Sequence, residues 1–88
     1  MKKVYPITLT QGNDFWTVYI PDFDLNTQGK TIDEAVEMAC DAICMAGCYR
    51  EDEGQAVPEP SPVEEISVDN GVMILLAEVD FEAYRLKH

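Results

Sequence analysis

The sequence predicts an α+β fold, a small and mainly antiparallel sheet in the order β-β-β-α-β with one long helix on one face. Three observations carry that expectation. Tyr5, Ile7 and Leu9 fall on every second position, as do Trp16, Val18 and Ile20, which is the period of strands with one buried face. Thr31-Ile32-Asp33-Glu34 matches a capping box, and Ile32, Ala35, Val36, Ala39, Ile43 and Ala46 then recur at helical spacing. Val72-Met73-Ile74-Leu75-Leu76-Ala77 is an unbroken apolar run after the Asn70-Gly71 turn.

Residues 3–10 and 15–20 form a hairpin around the turn-rich Gln11-Gly12-Asn13-Asp14. Pro6 lacks an N–H, so it belongs at an edge or at a position outside the ladder. The polar link from Pro21 to Lys30 has room for a short third strand near residues 25–28. The helix starts at the capping box and runs to about Tyr49, with acids in its first turn favoured by the helix dipole. Pro58-Glu59-Pro60-Ser61-Pro62 forces extended chain, and the segment from Glu51 to Asp69 carries acids and no base. The run at 72–77 is expected as a strand buried on both faces or central in the sheet. Residues 80–85 add one helical turn.

Eighty-eight residues allow one domain. Seventeen Asp and Glu against six Lys and Arg give a net charge of −11. That balance argues against gripping a phosphate backbone, which requires cations to displace counterions, and against adhesion to an anionic membrane. It leaves a basic partner open. No apolar stretch has the length of a signal peptide or a membrane span, so a cytoplasmic location is expected. Cys40, Cys44 and Cys48 are odd in number and clustered, which is no disulfide framework, so they are expected as reduced thiols.

Sites of possible chemistry weigh poorly against plainer readings. Asp22-Phe23-Asp24-Leu25-Asn26 opens like a calcium loop, yet Thr27 stands where glycine is needed and Asp33 where a bidentate Glu is needed. The three cysteines share one helical stripe but lack a fourth ligand, so they read as small core hydrophobes. No Ser or Cys has a histidine partner in view and no glycine loop cradles phosphate, so neither catalytic group nor cofactor nor metal is expected. The most informative irregularity is Ala42-Ile43-Cys44-Met45-Ala46-Gly47-Cys48-Tyr49, which is uncharged on every side of the helix. A helix apolar all round is normally buried all round, and so small a domain lacks the mass to do that alone. Cys44, Met45, Cys48 and Tyr49 are therefore expected as a partner or self-association patch, making a homo-oligomer, with a satellite core under the 51–70 loop as the alternative.

Five segments in order, Tyr5-Pro6, Tyr19-Ile20-Pro21-Asp22, Thr27-Gln28-Gly29 leading into Thr31-Ile32-Asp33-Glu34-Ala35, Pro58-Glu59-Pro60-Ser61, and Val79-Asp80-Phe81-Glu82-Ala83-Tyr84-Arg85, resemble the N-terminal domain of HicB-type antitoxins. The likeness spans nearly the whole chain. It departs at Pro21-Asp22-Phe23-Asp24-Leu25-Asn26, where the family usually has Pro-Asp-Leu-Pro-Gly-Cys.

The resemblance implies a degraded, non-catalytic RNase H-like fold that neutralises a small basic HicA-type mRNA interferase by covering its active site. The absence of a carboxylate from residues 2–10, where RNase H folds carry a catalytic one, agrees with an inactive domain. The family usually continues into a DNA-binding domain, whereas residues 1–88 are expected to form the antitoxin domain alone, without direct nucleic-acid binding. Contact with the toxin is expected through Asp22, Asp24, Glu51, Asp52, Glu53 and Glu59, which lie on loops flanking the helix. Two alternatives stay open, a residual RNase H-like RNA-processing enzyme and an oligomeric scaffold with no toxin.

Overall fold

Alternating apolar residues at the start of the chain become the centre of a sheet. In the computed structural model, which describes residues 2–88, β1 (Lys2–Gln11) pairs antiparallel with β2 (Trp16–Ile20), and β2 with β3 (Leu25–Gly29). A helix, α1 (Ile32–Asp52), follows, then a single 3-10 turn at Val63–Glu65, β4 (Val72–Asp80) and a short helix α2 (Phe81–Lys87). The sheet order is β3-β2-β1-β4, with every neighbouring pair antiparallel.

One face of this sheet carries the core. Tyr5, Ile7 and Leu9 of β1 lie beside Val18 and Ile20 of β2 and beside Ala77 and Val79 of β4, all buried. Across them lies α1, which presents Ala35, Ala39, Ile43, Cys44 and Cys48. The helix begins where the capping box places it, with Thr31 Oγ1 accepting the Glu34 N–H at 3.0 Å and Glu34 Oε1 accepting the Lys30 N–H at 2.8 Å. It extends three residues past Tyr49 to Asp52, because neither Pro nor Gly falls between Tyr49 and Gly54.

The apolar run at 72–77 is an edge strand, not a central one. β4 pairs with β1 only, from Lys2 opposite Asp80 to Thr10 opposite Val72. Its inner-face residues Met73, Leu75, Ala77 and Val79 pack toward the helix, while Ile74 and Leu76 stand on the outer face with Leu76 56% exposed. Both faces are apolar for different reasons, and sequence pattern alone cannot separate that case from full burial. Pro6 is accommodated because the β1–β2 ladder begins only at Thr8, leaving β1 with a strand on one side at that point.

Candidate functional site

The proline segment is tied to β1 and to the turn after β2 through side chains. The Tyr5 hydroxyl donates to the Pro58 carbonyl at 2.6 Å, Lys3 Nζ lies 2.9 Å from Glu59 Oε1, and Asp22 accepts from both the N–H (3.0 Å) and the hydroxyl (2.5 Å) of Ser61. Three anchors thus fix residues 58–61 as a strap held by Lys3 and Tyr5 of β1 and by Asp22 after β2. Phe23 closes the end of the core, edge-on to Tyr5 with ring centroids 5.1 Å apart, and the Arg50 guanidinium sits over its other side, 5.8 Å from the centroid.

Tyr5 is fully buried, and that burial, reinforced by Glu59 and Asp22 nearby, pushes its phenol up to about 12. Because the folded value lies above the ordinary value of 10.0, the resulting stability is complete below pH 10 and is lost as pH rises toward 12. The wild-type protein should lose about 2 kcal/mol across that window. Tyr5→Phe should flatten this loss while lowering neutral stability by about 1 kcal/mol through the missing hydrogen bond. Urea unfolding of both proteins at neutral and strongly alkaline pH checks this, and equal alkaline losses in the two would show that Tyr5 is not the group responsible.

A second cluster joins the helices. Asp80 caps α2 by accepting the Ala83 N–H at 3.1 Å, and Phe81 packs against Gly47, where an added Cβ would meet the ring at 2.6 Å. Arg85 then reaches back to α1, with Nη2 3.0 Å from Glu51, 3.1 Å from Asp52 and 3.1 Å from the Cys48 carbonyl. The thiols line the same seam: Cys40 points at the Glu78 carbonyl (3.6 Å) and Cys48 at the Phe81 carbonyl (3.9 Å). Burial pushes the Cys44 thiol up to about 11, and it raises those of Cys40 and Cys48 as well, so all three are poor nucleophiles.

The residues expected at a self-association patch therefore divide. Cys44 and Cys48 are 5% and 8% exposed and belong to the core, because they face β4 and α2, and neither presents a surface. Met45 and Tyr49, at 58% and 62%, are exposed. They flank an open apolar groove of about 610 Å³ whose floor is Phe23, Leu25 and Ala46 and whose end is Arg50.

All six acids expected to meet a partner lie at the end of the molecule where α1 terminates, but their environments differ. Asp22 and Glu59 hold the strap, Glu51 and Asp52 hold Arg85, and Asp24 accepts from the Tyr19 hydroxyl at 2.9 Å. Glu53 lies in the chain between the groove residues Arg50 and Gln55, whereas Asp24 is turned toward Tyr19 on the outer face of the sheet. Lys3, Arg50 and Arg85 offset part of the charge here, an arrangement that only tertiary pairing reveals. Among the described residues no three His, Cys, Asp or Glu side chains converge as a metal site, and no helix is long and apolar enough to cross a membrane.

A family model described as the HicB-like antitoxin of bacterial toxin–antitoxin systems matches residues 5–88. Antitoxin HicB 1 of Photorhabdus laumondii is 36% identical over 86 residues, covering 86% of this chain and 54% of that protein, so the chain spans about half the length of this relative. Among solved structures, a toxin–antitoxin complex from Streptococcus pneumoniae superposes with a TM-score of 0.85 at 20% identity, over 96% of this chain and 73% of that one. A HicA3 and HicB3 toxin–antitoxin complex superposes with a TM-score of 0.71 at 23% identity, over 88% of this chain and 98% of that one. At these identities the two superpositions speak for the fold.

Proposed function

The chain belongs to the HicB-like antitoxin family, and from that premise we propose that it neutralises a small basic HicA-type mRNA interferase in the cytoplasm by docking over its active site. The observation that carries this reading is the groove beside the C-terminal half of α1. Its floor is apolar, with Met45 and Tyr49 exposed at its side and Arg50 at its end. An exposed apolar groove is the centre of a protein interface, and the net charge of −11 on the chain around it suits a basic partner.

The chain itself acts by occupancy and performs no chemistry in this reading. Its thiols have raised pKa values, and Asp22, Glu51, Asp52 and Glu59 are engaged in holding the fold. Titrating a HicA-type ribonuclease with the 88-residue chain should abolish RNA cleavage at a fixed stoichiometry, and Met45→Lys should weaken that inhibition. Full ribonuclease activity in the presence of excess chain would refute the proposal, and RNA cleavage by the chain alone would favour the enzymatic alternative.

A further inference from the structure

The two edges of the sheet are built differently. β3 is short and polar, Leu-Asn-Thr-Gln-Gly, and is held close under α1 by Gly29. β4 is nearly twice as long, has a strand partner on one side only, and from Val72 to Ala77 carries no charge, proline or bulge in a chain with 26% charged residues. Those are the devices that ordinarily keep a sheet edge from pairing with another strand.

We infer that β4 is a self-pairing edge, on which a second copy of this chain adds its own β4 antiparallel to make one eight-stranded sheet. The charge pattern selects both the occupant and the register. A basic partner finds no acid along 72–77, whereas a second β4 matches this segment residue for residue. About a two-fold axis at Ile74, Val72 lies opposite Leu76 of the second copy and Met73 opposite Leu75, while Glu78 lies past the end of the paired strands, where the second copy turns at the uncharged Asn70-Gly71. Moving the axis to Leu76 or beyond would bring Glu78 and Asp80 of one copy toward those of the other, which is unfavourable across strands. Directly opposed residues share a face, so the axis runs perpendicular to the sheet and both α1 helices lie on the same side. The exposed Leu76 and the neighbouring outer-face residues Val4 and Ile74 then continue across the junction.

This pairing is independent of toxin binding and responds oppositely to salt. Each copy carries −11, so screening should strengthen the dimer while it slows capture of a basic partner. Sedimentation of the chain alone, over a wide range of concentration, should show a monomer–dimer equilibrium whose association tightens with added salt. Leu76→Lys should weaken it by roughly tenfold, by replacing the apolar cross-strand pair with Val72 of the second copy and putting a lysine on the pairing edge. Met45→Lys, in the helix groove, should leave it unchanged. Because Leu76 is more than half exposed in the single chain, its variant should keep the wild-type circular dichroism. Hydrogen exchange supplies a second readout, with β4 amides becoming more protected as wild-type concentration rises. A wild-type monomer at every concentration, a dimer indifferent to Leu76→Lys, or one dissolved by Met45→Lys would overturn the inference.

Discussion

Replacing Gly29 by Val should destabilise the domain by about 3 kcal/mol and lower its melting temperature by roughly 15 °C. Gly29 is the last residue of β3, buried opposite Trp16, at the point where α1 passes closest to the sheet. A Cβ there would lie 2.7 Å from Ala35 Cα and 2.8 Å from the Glu34 carbonyl carbon. Those are backbone atoms of a helical turn held by the Thr31 cap, so no rotamer change relieves the contact. Valine's better strand propensity, at most about 1 kcal/mol, does not offset this. The whole domain has only on the order of 5 kcal/mol to lose. Gly54, by contrast, has a positive φ of 71° with nothing within 4 Å of its would-be Cβ, and Gly54→Asn should be close to neutral. Thermal unfolding followed by circular dichroism compares the two, and a shift for Gly29→Val within about 3 °C would show that the helix can ride outward.

The second large effect is kinetic. If the acids around the C-terminal end of α1 steer a basic toxin, Asp24→Asn combined with Glu53→Lys should slow its capture on the order of tenfold at low salt. The slowing should shrink as salt shortens the screening length below about 8 Å. Neither residue holds the strap or Arg85, so the fold should survive. Glu51 and Asp52 are poorer probes because reversing them frees Arg85, although exposed ion pairs of this kind contribute only up to about 1 kcal/mol. The same change in charge at Asp33 and Glu37, near the other end of a helix about 30 Å long, should slow capture far less. Stopped-flow association of the toxin with each variant decides it. Equal slowing by both pairs would mean that only net charge matters, and no slowing by either would place the interface on another surface.

The candidate site was only partly legible in the residues. Met45 and Tyr49 stand out because the second half of α1 is uncharged on all sides, and both prove exposed. Cys44 and Cys48 share that segment and the same absence of charge, but they point at β4 and α2, whose position over the helix no local pattern encodes. Phe23, from the turn after β2, and Leu25, at the start of β3, complete the groove, although no local pattern in that polar link points them at α1. Among the acids, a sequence shows the sign of a side chain but not its neighbours, so the engagement of Asp22 by Ser61 and of Glu51 by Arg85 across more than thirty residues was out of reach.

The sequence by itself determined the hairpin, the start of α1, the presence of a strand at 72–77 and the family resemblance. Each of these rests on interactions between near neighbours, namely alternation on a pleated strand, a cap bonded to the N–H three residues on, and motifs in linear order. The tertiary structure decided that β4 lies at the edge, that Gly29 has to be glycine, and that Tyr5, Asp22 and Pro58-Glu59-Pro60-Ser61 form one strap. These depend on which segments meet in space. Strand order and close approach between distant residues are set by how the whole core packs, and that information is spread over every buried side chain at once.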